Sequence, residues 1–391
     1  MNNKNYTCVL CGNNKNKILN KYSDLFRITS DCRPFSSGGK IFSCKVCGLT
    51  QKICDKFWLD EVKEIYSNYN SYPLANGKEQ LVFENTEGSP QPRSDVIFRK
   101  LCEYFNKEDK YSLLDIGCGN GVNLISASNF FPKFDLYGYE PDKLNTENLV
   151  KIKKFQNGFS GNLKEINQKF DIITMFHSLE HFQDPNNDLN SINNLLKENG
   201  FLFIQIPNFD TNPYDMIVAD HLTHFTPHTL QLMLKKHNFY AISINTDWVE
   251  REISMLLKKN KNQIQDINQK NIYSNYSPKL ENNFDQLIKI LNISIELRKS
   301  EKNLNCFGTS IASTWIGNFL YNNGKFFNFF LDEDDSRINK LLFETPVIHP
   351  EKAKFNSSVF IPLAPPTNLR IKNKLNKIRP DLKCYTYEDF F

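Results

Sequence analysis

Apolar residues along the chain come in short bursts that alternate with helical stripes. Tyr111-Ser112-Leu113-Leu114-Asp115-Ile116 reads as a buried strand running into Gly117-Cys118-Gly119-Asn120-Gly121, with a helix following from Val122 to Phe130. Phe134 to Glu140 is a second strand ending in an acid, and Phe170 to Phe176 is another. Asp184-Pro185 is a cap and first turn for a helix with Leu189, Ile192, Leu195 and Leu196 on one face, closed by Gly200 before a strand at Phe201 to Ile206. Thr226-Pro227 starts another helix with Leu230, Met233 and Leu234 on its stripe. Strand–helix alternation with glycine turns at strand ends predicts a doubly wound α/β sheet.

Beyond this core, Trp248 to Asn305 reads as helical, with Leu280, Phe284, Leu287, Leu291 and Ile295 on one face. A second, smaller Rossmann-like unit follows. Its strands are expected at Asn303 to Phe307 (entering Gly308-Thr309-Ser310), Phe326 to Leu331, Ser357 to Leu363 and Lys383 to Tyr387, with a helix from Asn368 to Lys377. The expected division is a cysteine module and Tyr-rich segment over 1–80, the sheet domain over 85–248, a helical connector over 249–301 and the small domain over 302–391.

Composition adds the N-terminal chemistry. The 391 residues carry a net charge of +4 without a basic block, which disfavours a nucleic-acid polymer as partner. No apolar stretch approaches a membrane span, Met1 to Asn5 does not open a signal peptide, and a cytoplasmic protein is expected. Ten cysteines in a reducing compartment do not suggest a disulfide framework. Cys8-Val9-Leu10-Cys11-Gly12 and Cys44-Lys45-Val46-Cys47-Gly48 are two CxxC knuckles, enough thiolates for a closed, structural Zn2+ site. Cys32 and Cys54 lack a CxxC partner and read as small core residues. Tyr66, Tyr69 and Tyr72 share a face if helical and would either line a polar pocket or clasp two domains together.

The glycine turn has the form D-x-G-x-G-x-G, without the spacing of a dinucleotide fingerprint, and Glu140 stands where an acid can take both hydroxyls of a ribose. With the FDIITMFHSLEHFQDP segment, Ser94 to Trp248 resembles the class I methyltransferase superfamily. The resemblance implies that Asp115, Gly117, Gly119 and Gly121 surround S-adenosyl-L-methionine, that Glu140 binds its ribose, that Asn162 stands near the adenine and that His177 lies near the sulfonium. His177 and His181 could chelate a metal if helical, but the resemblance favours them as pocket walls.

Asp220-His221-Leu222-Thr223-His224-Phe225 is then a loop at the carboxyl edge of the sheet, where an acid beside a histidine can raise its basicity and orient it. The whole arrangement resembles the zinc-containing sugar C-methyltransferases, which act on nucleotide-linked 4-keto deoxysugars. It implies His221 as general base, Asp220 as its support, and Tyr69 (or Tyr66) and His177 as donors to an enolate oxygen. This chain departs from that family with Asp in place of Glu before the histidine, and with a lone Gly308 in the small domain. Methylation of a sugar hydroxyl, an RNA methyltransferase reading through the cysteine module, and a non-catalytic relic remain as alternatives. Oligomeric state is not legible.

Overall fold

A computed structural model of the chain describes residues 6–69, 79, 81–82, 91–141, 146–259 and 278–390. Tyr72, Asp142 and stretch 260–277 of the expected connector lie outside the described residues.

The N-terminal module is a small antiparallel sheet of β1 (Asn16–Ile18), β2 (Ile41–Cys44) and β3 (Thr50–Lys52), followed by helix α1 (Lys56–Ser67), which Asp55 caps by accepting from the Trp58 N–H. Helix α2 (Arg93–Leu101) leads into the central domain. There β4 (Ser112–Ile116), α3 (Val122–Phe130), β5 (Asp135–Glu140), β6 (Phe155–Ser160), β7 (Phe170–Phe176), α4 (Pro185–Leu195) and β8 (Leu196–Pro207) come in turn. The short strand β9 (Thr223–His224), helix α5 (Pro227–Lys236), β10 (Phe239–Asn245) and β11 (Glu252–Lys259) complete it.

The seven-stranded order is β6-β5-β4-β7-β8-β11-β10. The pairs from β6 to β8 are parallel, and β11 is antiparallel to both β8 and β10. The chain moves outward from β4 through β5 to β6, then crosses back to place β7 on β4's other side. The crevice at the carboxyl ends of β4 and β7 is the switch point where open α/β sheets bind ligands.

Two boundary expectations are corrected. Glu252–Lys259 is a strand and not part of a helical connector: it pairs with both β8 and β10, and Ile253 to Leu257 are buried on both faces, so the sheet captures the segment. Helix α4 ends at Leu195, and Gly200 sits inside β8 with backbone carbonyls of Lys197 and Asp171 close against it.

Helix α6 (Lys279–Ser300) buries Leu280, Phe284, Leu287 and Leu291, as its stripe predicts. The small domain holds β12 (Leu304–Phe307), α7 (Ile311–Asn322), β13 (Phe330–Leu331), β14 (Leu341–Leu342), β15 (Thr345–Ile348), β16 (Ser358–Phe360), α8 (Thr367–Ile378) and β17 (Lys383–Tyr385), in sheet order β14-β15-β13-β12-β16-β17. Its core is continuous with Tyr22, Ile28, Tyr214 and Ile217, so the domain packs on both the N-terminal module and the central one. No helix among the described residues is long and apolar enough to cross a membrane.

Candidate active site

One cavity of about 400 Å³ opens between the three parts of the chain. Its floor is the turn after β4. Gly117 has φ +77°, and a Cβ there would stand 2.3 Å from the Ser178 Oγ, which donates to the Ile116 carbonyl. Gly117 and Gly119 line the cavity with backbone alone. The Gly119 N–H donates to a carboxylate oxygen of Glu140 across from it, at the end of β5. A bare backbone cradle beside an acid suits a ligand carrying a ribose and a sulfonium.

Three residues expected around that ligand are held by contacts within the protein. Asp115 is fully buried beneath the turn, accepting from Thr174 Oγ1 at 2.7 Å and Asn123 Nδ2 at 3.4 Å, and burial pushes its carboxyl up to about 7. Gly121 starts α3 at φ +85° and lets Leu149 and Ile152 approach, so it serves packing. Asn162 is exposed and uses its side chain to accept from the Lys164 N–H.

The opposite wall is built from side chains. His221 is 5% exposed and lines the cavity. The acid that orients it is Asp215, not the adjacent Asp220: His221 Nδ1 lies 2.6 Å from Asp215 Oδ1, and His224 Nδ1 lies 2.7 Å from Asp215 Oδ2. Burial opposes charge on Asp215, but His224 and His221 outweigh it and hold the carboxyl well below the usual carboxylate range. Asp220 turns the other way. It accepts from the Ser30 N–H (2.9 Å) and hydroxyl (2.5 Å), and its carboxylate and carbonyl face His181 Nδ1. The chain turns at Ala219 and Asp220, with the His221 N–H donating to the Val218 carbonyl at 3.3 Å, and that turn overrides adjacency in sequence.

Behind this loop lies Lys52, 1% exposed, whose ammonium donates to the carbonyls of Val218 and His221. The β3 backbone pairs with β9, so the N-terminal sheet carries the loop as its fourth strand.

His177 sits at φ +48° just past β7, its Nε2 2.7 Å from an Arg93 nitrogen and 3.2 Å from Glu252. Burial and Arg93 push its pKa down, but Glu252 and Glu180 prevail and bring it to about 9. Tyr69 lines the cavity and stacks on Tyr66 with ring centres 5.1 Å apart, and the Tyr66 hydroxyl lies 3.3 Å from His181 Nδ1. The pair thus serves both as pocket wall and as clasp.

The small domain supplies the remaining wall. Thr309, after the lone Gly308, donates to Asp332 at 2.7 Å, and Arg337 reaches both Thr309 (2.9 Å) and Asp332 (3.5 Å). Cys32 lines the cavity and Cys54 is exposed, so neither is the core residue expected.

The four knuckle cysteines converge, their sulfurs all within 4.8 Å and none in a disulfide. The Cys8–Cys47 and Cys11–Cys44 sulfurs are 3.5 Å apart, near the roughly 3.8 Å edge of a tetrahedron with metal–sulfur bonds of about 2.3 Å. The Val46 N–H points at Cys44 Sγ at 3.4 Å, and Gly12 and Gly48 take positive φ. The residues fit a soft divalent ion in a closed site.

Asp215, Lys52, Ser30 and Arg93 were missed in the sequence. Asp215 lies in a one-turn helix, Pro213–Ile217, six residues before His221, and no spacing rule singles it out.

Residues 91–244 match a family model described as a methyltransferase domain. The chain is 25% identical over 206 residues to a ubiquinone biosynthesis O-methyltransferase of Rickettsia canadensis, covering 49% of this chain and 84% of the relative. It is 26% identical over 173 residues to a Yersinia pestis protein of the same name, covering 41% and 69%. Among solved structures, the [4+2]-cyclase SpnF superposes at TM-score 0.40 with 13% identity, covering 51% of this chain and 94% of that one. An S-adenosylmethionine-dependent methyltransferase from Clostridium acetobutylicum superposes at 0.35 with 17% identity, covering 53% and 98%. With the matched domain supplying the cradle at the switch point, the chain is an S-adenosylmethionine-dependent methyltransferase.

Proposed function

We propose that the enzyme methylates a small nucleotide-linked sugar, with His221 as general base and Asp215 as the group that orients it. One observation carries this reading: the Gly117–Gly119 backbone, the His221–Asp215 pair and the Thr309–Asp332–Arg337 wall line the same cavity. Bound S-adenosylmethionine would supply an electrophilic methyl group over the glycine turn, with Glu140 in reach of its ribose. An Asp215 carboxylate on Nδ1 fixes the tautomer that leaves Nε2 free to accept a proton. Tyr69 and His177 are the donors available to an oxygen that gains charge as that proton leaves. The Arg337 guanidinium suits a phosphorylated acceptor. The four cysteines would hold a structural Zn2+, and the β3–β9 pairing would pass that rigidity to the base.

Transfer to carbon requires a proton taken from a C–H next to a ketone. Incubation with a nucleotide-linked 4-keto sugar in deuterated water, without S-adenosylmethionine, should wash deuterium into that position, and His221→Ala should stop it. Absence of wash-in together with consumption of S-adenosylmethionine would replace carbon by oxygen as the acceptor. The names of the ubiquinone relatives favour that second reading, in which the same base takes a hydroxyl proton. No binding of S-adenosylhomocysteine by calorimetry would remove both readings.

A further inference from the structure

The turn after β7 carries a carboxylate that the methyl-transfer reading does not use. Glu180 is 1% exposed, and neither of its carboxylate oxygens has a hydrogen-bond partner among the described residues. Its nearest opposite charge is His177 Nδ1, 3.4 Å away. That imidazolium faces Oε1 alone, and a buried carboxylate whose other oxygen is unpaired is costly unless a further cation shares its site. The Leu222 N–H donates to the Glu180 carbonyl at 2.7 Å, so this turn is tied to the loop that carries His221.

Glu180, His181 and His221 each offer a ligand atom, and these atoms lie within 4.8 Å of one another. The rings of His181 and His221 are 4.6 Å apart at 87°. Two imidazoles sharing one ion, at metal–nitrogen distances of about 2.1 Å, place their centres roughly 4.5–5.5 Å apart. Both Nδ1 atoms are already engaged, His221 with the Asp215 carboxylate (2.6 Å) and His181 with the Asp220 carbonyl (3.0 Å). In each ring Nε2 is left as the nitrogen with a lone pair to give. An acid or carbonyl behind a ligating imidazole is the support that metal sites use to fix ring and tautomer.

We infer that Glu180, His181 and His221 form a second metal site, distinct from the four cysteines, for a divalent transition ion of nitrogen and oxygen preference. Two imidazoles and a carboxylate select Zn2+, Co2+, Ni2+ or Fe2+ over Mg2+ and Ca2+. Three protein ligands leave coordination positions open toward the cavity. The His221 lone pair that binds the ion is the one that would take a proton from the acceptor, so the ion and the base role exclude each other. Binding itself does not rest on the proposed reaction. Its effect on turnover does, and occupancy is expected to switch proton abstraction off.

The test is a Co2+ titration of the intact protein, with the four cysteines already loaded with Zn2+. The expected result is one further equivalent per chain, with the visible d–d bands of nitrogen- and oxygen-bound cobalt and no thiolate charge-transfer band. Glu180→Gln and His181→Asn should each weaken it about 100-fold while circular dichroism stays unchanged. Should either variant misfold, paramagnetic broadening of the His181 and His221 ring signals in the wild type gives the same information. No further equivalent, undiminished affinity in a folded Glu180→Gln, or broadening confined to other histidines would overturn the site. Deuterium wash-in measured alongside separates the two ideas. Loss of wash-in as cobalt binds supports site and base together, whereas faster wash-in keeps the site and removes His221 as base.

Discussion

The two walls of the cavity are built on opposite principles. The proposed cofactor side is bare backbone: Gly117 and Gly119 bring no side chains, their N–H groups are taken up by the Tyr139 carbonyl and the Glu140 carboxylate, and the supporting Ser178 and Asp115 stay beneath. The proposed acceptor side is made of side chains from three parts of the chain, with His221 and Asp215 from the central domain, Ser30 and Cys32 from the N-terminal module, and Asp332 and Arg337 from the small domain. A bare cradle can be written in a single short segment, because closeness of approach needs only missing Cβ atoms. A wall that recognises an acceptor needs several polar groups at fixed distances, and separate elements must deliver them.

The comparison breaks most sharply at Asp215. Asp215→Asn should lower kcat about 1,000-fold with little change in S-adenosylhomocysteine affinity, because the amide no longer fixes the productive tautomer of His221. Asp220→Asn should cost far less, about 10-fold, since that acid serves His181 and Ser30. If the two variants exchange ranks in steady-state assays, the orienting role returns to Asp220.

On the cradle side, Gly117→Ala should weaken S-adenosylhomocysteine binding about 100-fold by calorimetry, since its Cβ would meet Ser178 and its φ is positive. Acceptor KM should hardly move. Arg337→Gln should do the reverse, raising acceptor KM about 10-fold and leaving cofactor affinity intact.

The smallest effect on activity is expected at Asp115. Its folded pKa of about 7 lies above the ordinary 3.8, so its contribution to stability is complete below pH 4 and is lost as pH rises toward 7. Asp115→Asn cannot ionise. The melting temperature of the wild type relative to that variant should therefore fall across pH 4 to 7, while cofactor affinity stays the same.

Much of the central fold could be read from local pattern. The strands at Ser112–Ile116 and Phe170–Phe176, the caps at Asp184 and Thr226, and the cysteine knuckles all depend on neighbours a few residues away. Glu252–Lys259 could not be read that way, because its partner is β8, some fifty residues earlier, and burial on the sheet decided its conformation. The site divides along the same line. Gly117 and Gly119 were legible from the turn itself. The pairing of His221 with Asp215 was not, because the loop reverses between them and sends the adjacent acid to another histidine.

The β3–β9 pairing has a consequence for how the chain comes off the ribosome. The first sixty residues contain all four knuckle cysteines, yet their sheet keeps an open edge until Thr223 and His224 emerge some 170 residues later. An unpaired strand edge invites the wrong neighbour. During synthesis the N-terminal module is thus a half-closed clasp, and only the arrival of the segment bearing His221 locks it.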